Sequence, residues 1–302
     1  MFNDIIGNDE NKKKLEYIVK NNNISHSYIF SGISGIGKFM FAKEFAKAIL
    51  CLDNEKKPCN NCRACKSFEN NNNPDIIIID EQDESIKTEQ IKELVKNVLE
   101  KPIQGEKKIY IINNSENMTR EAQNSLLKTL EEPPEYVIVI LITSNENLLL
   151  NTIKSRCIKF QFQNLSDEEI KQYFRMANQV IDDSIIKIFG GSIEKALKLK
   201  DNLDTYKNIK NIFKNIENLS GLQILNLKET IFKDKDEIFS ILDYINTIFF
   251  DKILENIKTA NKYQKCIEII EESKLRLKRN SNYDMTIDNL LLTLERSLKK
   301  NG

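Results

Sequence analysis

The sequence predicts an α/β protein, a parallel sheet with helices on it, followed by a long all-helical region. Three observations carry that expectation. A glycine-rich G-x-x-x-x-G-K loop sits between an apolar run and a helical run, and 107–157 reads strand, helix, strand. Beyond about residue 202 there is no proline, and Gly221 is the only glycine before the terminal Gly302.

Taken in order, 11–20 is a short amphipathic helix with Leu15, Ile18 and Val19 apolar, and 28–30 is a strand. His26, just before that strand, is given no chemical role. The loop Gly32-Ile33-Ser34-Gly35-Ile36-Gly37-Lys38-Phe39 follows, and a helix runs from it to about Leu50. Gly32, Gly35 and Gly37 free backbone amides to cradle phosphate, Lys38 supplies a point charge, and the helix start adds its dipole. The next position needs a Ser or Thr hydroxyl for magnesium, and here it is Phe39. The loop therefore suits phosphate binding without hydrolysis, or a relic that keeps its shape and binds nothing.

Cys51, Cys59, Cys62 and Cys65 come next, two of their gaps being x2. Four thiolates so close suit a closed, structural zinc site with no open position for a substrate. Cys157 and Cys266 stand apart. The run 75–80, DIIIID, reads as a buried parallel strand ending in the acidic pair Asp80-Glu81, and 86–99 as a helix. Two further strands are expected at 109–112 and 137–142. The helix between them, 120–130, has Ala122, Leu126, Leu127 and Leu130 on one face and stops at Pro133-Pro134. The strand at 109–112 ends in Asn113-Asn114, where an ATPase would place carboxylates for magnesium and water. After a strand at 158–162, Ser166 and Glu169 form a capping box for a helix over 167–177. Shorter helices are expected near 183–189 and over 192–199. Ile238, Ile241, Leu242, Ile245, Ile248 and Phe249 then form one helical stripe, and Ile287, Leu290, Leu291, Leu294 and Leu298 another.

Composition narrows the function classes. Lys plus Arg and Asp plus Glu both number 45 in 302 residues, which leaves no basic bias of the kind that marks a free-standing nucleic-acid binder. No apolar run reaches membrane-spanning length and the first residues are polar, so a cytoplasmic protein is expected. In that compartment clustered cysteines favour metal ligation over disulfides.

LLKTLEEPP, Leu126 to Pro134, followed by Ser155-Arg156-Cys157, resembles the AAA+ clamp-loader subunits of bacterial DNA polymerase III, the gamma/tau and delta-prime proteins. The resemblance extends from Ile6-Gly7 to about Leu199. It implies a nucleotide-binding-like domain over 1–163 carrying the zinc module, a small helical lid over 164–200 and a helical collar over 201–302. It also places the acidic pair of the ATPases at Asn113 and Asn114, leaving Asp80-Glu81 a solvated strand end. Where those ATPases carry a sensor arginine in a GS-x-R turn, Gly191-Ser192-Ile193 is followed here by Glu194. Phe39, the two asparagines and Glu194 each disable a different part of phosphoryl transfer. Arg156 survives in its motif. The implied reading is an ATPase-incompetent subunit of a pentameric ring with gamma/tau and delta, lending Arg156 to a neighbour's ATP site while the complex loads a sliding clamp on primed DNA. Two alternatives stand beside it: an active gamma/tau-type ATPase, and a zinc-stabilised protein that binds ATP only as a structural ligand.

Overall fold

The computed structural model describes residues 1–299 apart from 82–84, 180–185, 187–188, 201–202, 234, 236, 257–259 and 280. The chain divides into two compact units, one formed by Met1–Val180 with Gly190–Lys195, the other by Ile181–Phe189 with Ala196–Gly302.

In the first unit the elements are α1 (Asp9–Lys20), β1 (Ser27–Ser31), α2 (Lys38–Leu50), α3 (Arg63–Glu69), β2 (Ile76–Asp80), α4 (Thr88–Asn97), β3 (Lys108–Asn113), α5 (Arg120–Glu131), β4 (Val137–Thr143), α6 (Asn151–Lys154), β5 (Ile158–Gln161) and α7 (Asp167–Met176). All five strands are parallel, in the order β2-β3-β4-β1-β5. Side chains alternate across a strand, so Tyr28, Phe30, Ile109, Ile111, Ile138 and Ile140 meet α1 and α2 on one face. Ile29, Tyr110, Ile112, Val139 and Leu141 meet α4 and α5 on the other. β4 is covered on both sides and buried along its whole length, which is why it reads as an unbroken apolar run.

β2 departs from the sequence reading. Its isoleucine run was expected to be buried, yet it lies at the sheet edge and Ile78 is 38% exposed. Just before it, Asp75 is fully buried and its carboxylate accepts backbone N–H bonds from Ile103 (2.6 Å), Gln104 (2.7 Å) and Gly105 (3.1 Å), fixing the approach to β3. The opposite edge is covered differently. Asn11 Nδ2 donates to Gln161 O at 2.9 Å, and Asn8 both donates to Gln163 O and accepts from Gln163 N.

α7 starts behind Ser166, and both halves of its capping box are made. The helix Ile193–Lys200 follows the Gly190-Gly191 turn. Of the helix expected near 183–189, only Ile186 and Phe189 are described, and both are buried. The expected boundary at 200/201 adjoins residues 201–202, which lie outside the described residues.

The second unit is helical. Helix Ile238–Glu255 buries all six residues of its sequence stripe and also Tyr244, while Phe250 stays 55% exposed. Helix Tyr283–Lys299 buries all five of its stripe, and Ala260–Lys278 packs against both. No helix among the described residues is long and apolar enough to cross a membrane.

Candidate functional site

The phosphate loop leaves β1 at Ser31 and enters α2 at Lys38, as the motif requires. Gly32, Gly35 and Gly37 all have positive φ, the conformation that glycine adopts without strain. Gly35 has a second reason. A Cβ there would collide with Ser192 Oγ and stand 2.5 Å from Glu194 Cβ.

That collision locates Glu194. Ser34 Oγ donates to Glu194 Oε2 at 2.9 Å, and the Ile193 N–H donates to Gly35 O at 2.9 Å. The segment 192–194 thus sits on the loop, with Ser192 buried and capping its helix by accepting from Lys195 N. Lys38 is turned inward, its Nζ donating to Gly32 O (2.5 Å) and Ile33 O (2.6 Å). Burial pushes its ammonium down to about 8, with Glu116 and Glu194 pulling the other way. Phe39 is half-buried against the core and Lys43 lies over its ring, 5.8 Å from the centroid. No hydroxyl stands at that position.

At the tip of β3, Asn113 pairs in register with Asp80 of β2. Asn113 Nδ2 donates to Asp80 Oδ1 at 2.8 Å, and Asn114 Nδ2 reaches Glu81 O at 3.3 Å. Asp80 is an exposed strand end engaged by an amide. Two residues on, Glu116 accepts from both the amide and the hydroxyl of Ser144 at the end of β4. The sequence reading had not singled Glu116 out. A carboxylate just past a lost acidic pair is a signal that only the fold places near Lys38.

Arg156 follows α6. Its Nη1 donates to Thr152 O at 2.8 Å and its Nη2 pairs with Glu131 Oε1 at 2.7 Å, the two side chains being 34% and 46% exposed. Glu131 belongs to LLKTLEEPP, so the two motifs of the resemblance touch through this pair. The guanidinium is held along one edge and keeps further N–H donors for another group.

The four cysteines of the zinc-like spacing converge, with their sulfurs within 4.8 Å of one another. Cys51 Sγ and Cys62 Sγ are 4.0 Å apart, near the about 3.8 Å separation that tetrahedral Zn–S bonds of about 2.3 Å impose. The N–H groups of Cys59, Cys62 and Cys65 point at the sulfurs of Cys51, Cys59 and Cys62 respectively. Burial pushes the Cys62 thiol up, yet the Cys65 and Leu52 amides bring it down to about 6. The donor set and its spacing fit zinc. Cys157 and Cys266 are no part of the cluster.

Sheet order, phosphate loop and the 192–194 segment seated on that loop define a P-loop α/β domain of the AAA+ type. The solved structure of a DNA polymerase III gamma subunit-related protein from Thermotoga maritima shares the fold, with a TM-score of 0.54 at 20% identity over 94% of this chain and 99% of that one. The family model described as DNA polymerase III, delta subunit, matches residues 7–166, and this chain belongs to the DNA polymerase III clamp-loader family of delta' and gamma/tau subunits. The delta' subunit of Bacillus subtilis is 29% identical over 313 residues, 94% of each chain. The gamma subunit of Buchnera aphidicola (subsp. Acyrthosiphon pisum) is 31% identical, over 82% of this chain and 72% of that one. The tau/gamma subunit of Haemophilus influenzae is 37% identical over 209 residues. This chain covers only 30% of that last protein's length and 32% of the gamma/tau subunit of Mycoplasma pneumoniae.

Proposed function

We propose that this chain is a delta'-type subunit of a bacterial clamp loader, cytoplasmic, unable to hydrolyse ATP itself, and a donor of Arg156 to the ATP site of an adjacent gamma/tau subunit. The single observation that carries the reading is the carboxylate seated on the phosphate loop. Glu194 stands where a sensor arginine is expected and bonds Ser34 on the loop, and Lys38 Nζ donates to the loop's own carbonyls. A triphosphate entering there would meet a carboxylate at Glu194 and would find no hydroxyl at residue 39 and no acid at Asn113 or Asn114.

The match to a delta' subunit over 94% of both chains supports the same assignment. Residues 1–163 form the nucleotide-binding-like domain, 164–200 the lid and 201–302 the collar of a pentameric ring with gamma/tau and delta. Cys51, Cys59, Cys62 and Cys65 hold a structural zinc that staples the 51–65 excursion. Gly32, Gly35, Gly37 and Lys38 keep the shape of a phosphate site. Primed DNA and the sliding clamp are engaged through the complex.

The test is made on the isolated chain, by measuring ATP binding and steady-state hydrolysis with magnesium. No turnover is expected. Hydrolysis that disappears in Lys38→Ala overturns the reading in favour of an active ATPase. Tight binding without turnover, in a chain that fails to assemble with gamma/tau and delta subunits, overturns it in favour of a structural nucleotide.

A further inference from the structure

The four-cysteine cluster is approached by two helices with the same spacing on each. Lys47, in the last turn of α2, precedes Cys51 by four residues, and on α3 Cys65 precedes Glu69 by four. Residues four apart lie on one face, a turn apart, so Lys47 neighbours Cys51 just as Glu69 neighbours Cys65. The Lys47 ammonium is hydrogen-bonded to the Glu69 carboxylate. A polar clasp therefore runs from α2 to α3 beside the sulfurs, parallel to the link that a metal would make between Cys51 and Cys65.

The clasp is lopsided. The Lys47 side chain is 7% exposed and that of Glu69 is 62% exposed. An exposed carboxylate gives little net stability to an ion pair, so Glu69 alone is a poor reason to bury an ammonium. Besides Glu69, the Glu44 carboxylate and the Cys65 sulfur act on Lys47; burial works against its charge, and these groups together more than offset that. Zinc with four thiolates carries two surplus negative charges. The N–H groups of Cys59, Cys62 and Cys65 offset part of that surplus with dipoles, and Lys47, on α2, adds a full positive charge.

We infer that Lys47 is the outer cation of the four-cysteine zinc centre, neutralising surplus thiolate charge and, through Glu69, holding Cys65 beside Cys51 so that the site retains its metal. It is a positioning residue and no ligand. The inference needs the metal and does not depend on the ATPase assignment, because the cluster is built whether or not the phosphate loop is active.

The full-length chain, loaded with zinc, is mixed with excess chromogenic chelator and the release rate is followed. Outer-shell partners of a metal typically change affinity by about 10-fold to 100-fold, so Lys47→Met is expected to release zinc about 10-fold faster. Glu69→Gln keeps the cation and loosens the clasp, and should fall between parent and Lys47→Met. Lys47→Arg should restore slow release. The cobalt-substituted chain gives a second readout, its thiolate-to-metal absorption shifting in Lys47→Met and staying in place in Glu69→Gln. Parent-like release and spectra in Lys47→Met overturn the inference, as does Lys47→Arg behaving like Lys47→Met. Should Lys47→Met not fold, parent-like release from Glu69→Gln, whose altered side chain is mostly in solvent, overturns the clasp on its own.

Discussion

Replacing Arg156 by alanine separates what this residue does for its own chain from what it is proposed to do for a neighbour. Within the chain, its ion pair with Glu131 joins two side chains that are 34% and 46% exposed. Pairs of that exposure contribute about 0.2–1 kcal/mol, which moves a melting temperature by only a few degrees. In a neighbour's ATP site an arginine finger is worth ~10³ to 10⁵ in rate, because it meets charge that develops only in the transition state. The lower bound already corresponds to about 4 kcal/mol of barrier, so the two effects do not overlap in size. The isolated Arg156→Ala chain is compared with the parent by thermal melting, and the reconstituted complex by ATP turnover with clamp and primed DNA. A melt within a few degrees and a fall in turnover of about 10³-fold are expected. Glu131→Gln is the control, since it breaks the same ion pair and keeps the cation, and it should retain most of the rate. Unchanged turnover in Arg156→Ala refutes the role in trans; an equal collapse in Glu131→Gln would show that the pair, and not the guanidinium, matters.

Three other outcomes are expected. Asp75→Ala removes a buried acceptor of three backbone N–H bonds; bonds to a charged group contribute about 1.5–3 kcal/mol each, and a loss of about 3–5 kcal/mol in denaturant melts is anticipated, against which a loss under 1 kcal/mol would count. Lys38, held at about 8 instead of its ordinary 10.5, binds fewer protons folded than unfolded between those values, so its contribution to stability rises with pH through that window, by about 3 kcal/mol in total. The difference in denaturant stability between parent and Lys38→Met, followed from pH 7 to 10.5, should show that rise, and a flat difference contradicts it. Elemental analysis should find one zinc per chain, lost in Cys62→Ser, and a metal content unaffected by that change would exclude the four-cysteine assignment.

Much of this architecture is written locally. Apolar alternation, the Ser166 capping box and the Pro133-Pro134 stop are signals carried by residues within a turn or two of where they act, and β1, α5, β4 and α7 appear almost where expected. β2 shows the limit. Four consecutive isoleucines announce a strand but not its place in the sheet, and strand order depends on crossovers that no short window contains. The candidate site divides in the same way. The cysteines and the phosphate loop are contiguous and were legible by type and spacing. The Glu131–Arg156 pair and the Ser34–Glu194 bond, the latter spanning 160 residues, exist only once β4, β1 and the 190–194 turn are in place. Lys47 was hidden for another reason: a lysine near the end of an apolar helix normally points to water, and only packing against α3 shows that this one does not.

Asn8 and Asn11 lie along the free edge of the sheet. By answering the carbonyl of Gln161 and the amide and carbonyl of Gln163, they occupy backbone groups at the C-terminal end of β5 that a stray extended segment would otherwise pair with. That end of the edge strand is thereby less open to pairing with another chain's sheet, and any association there is left to side-chain surfaces, which can tell one partner from another.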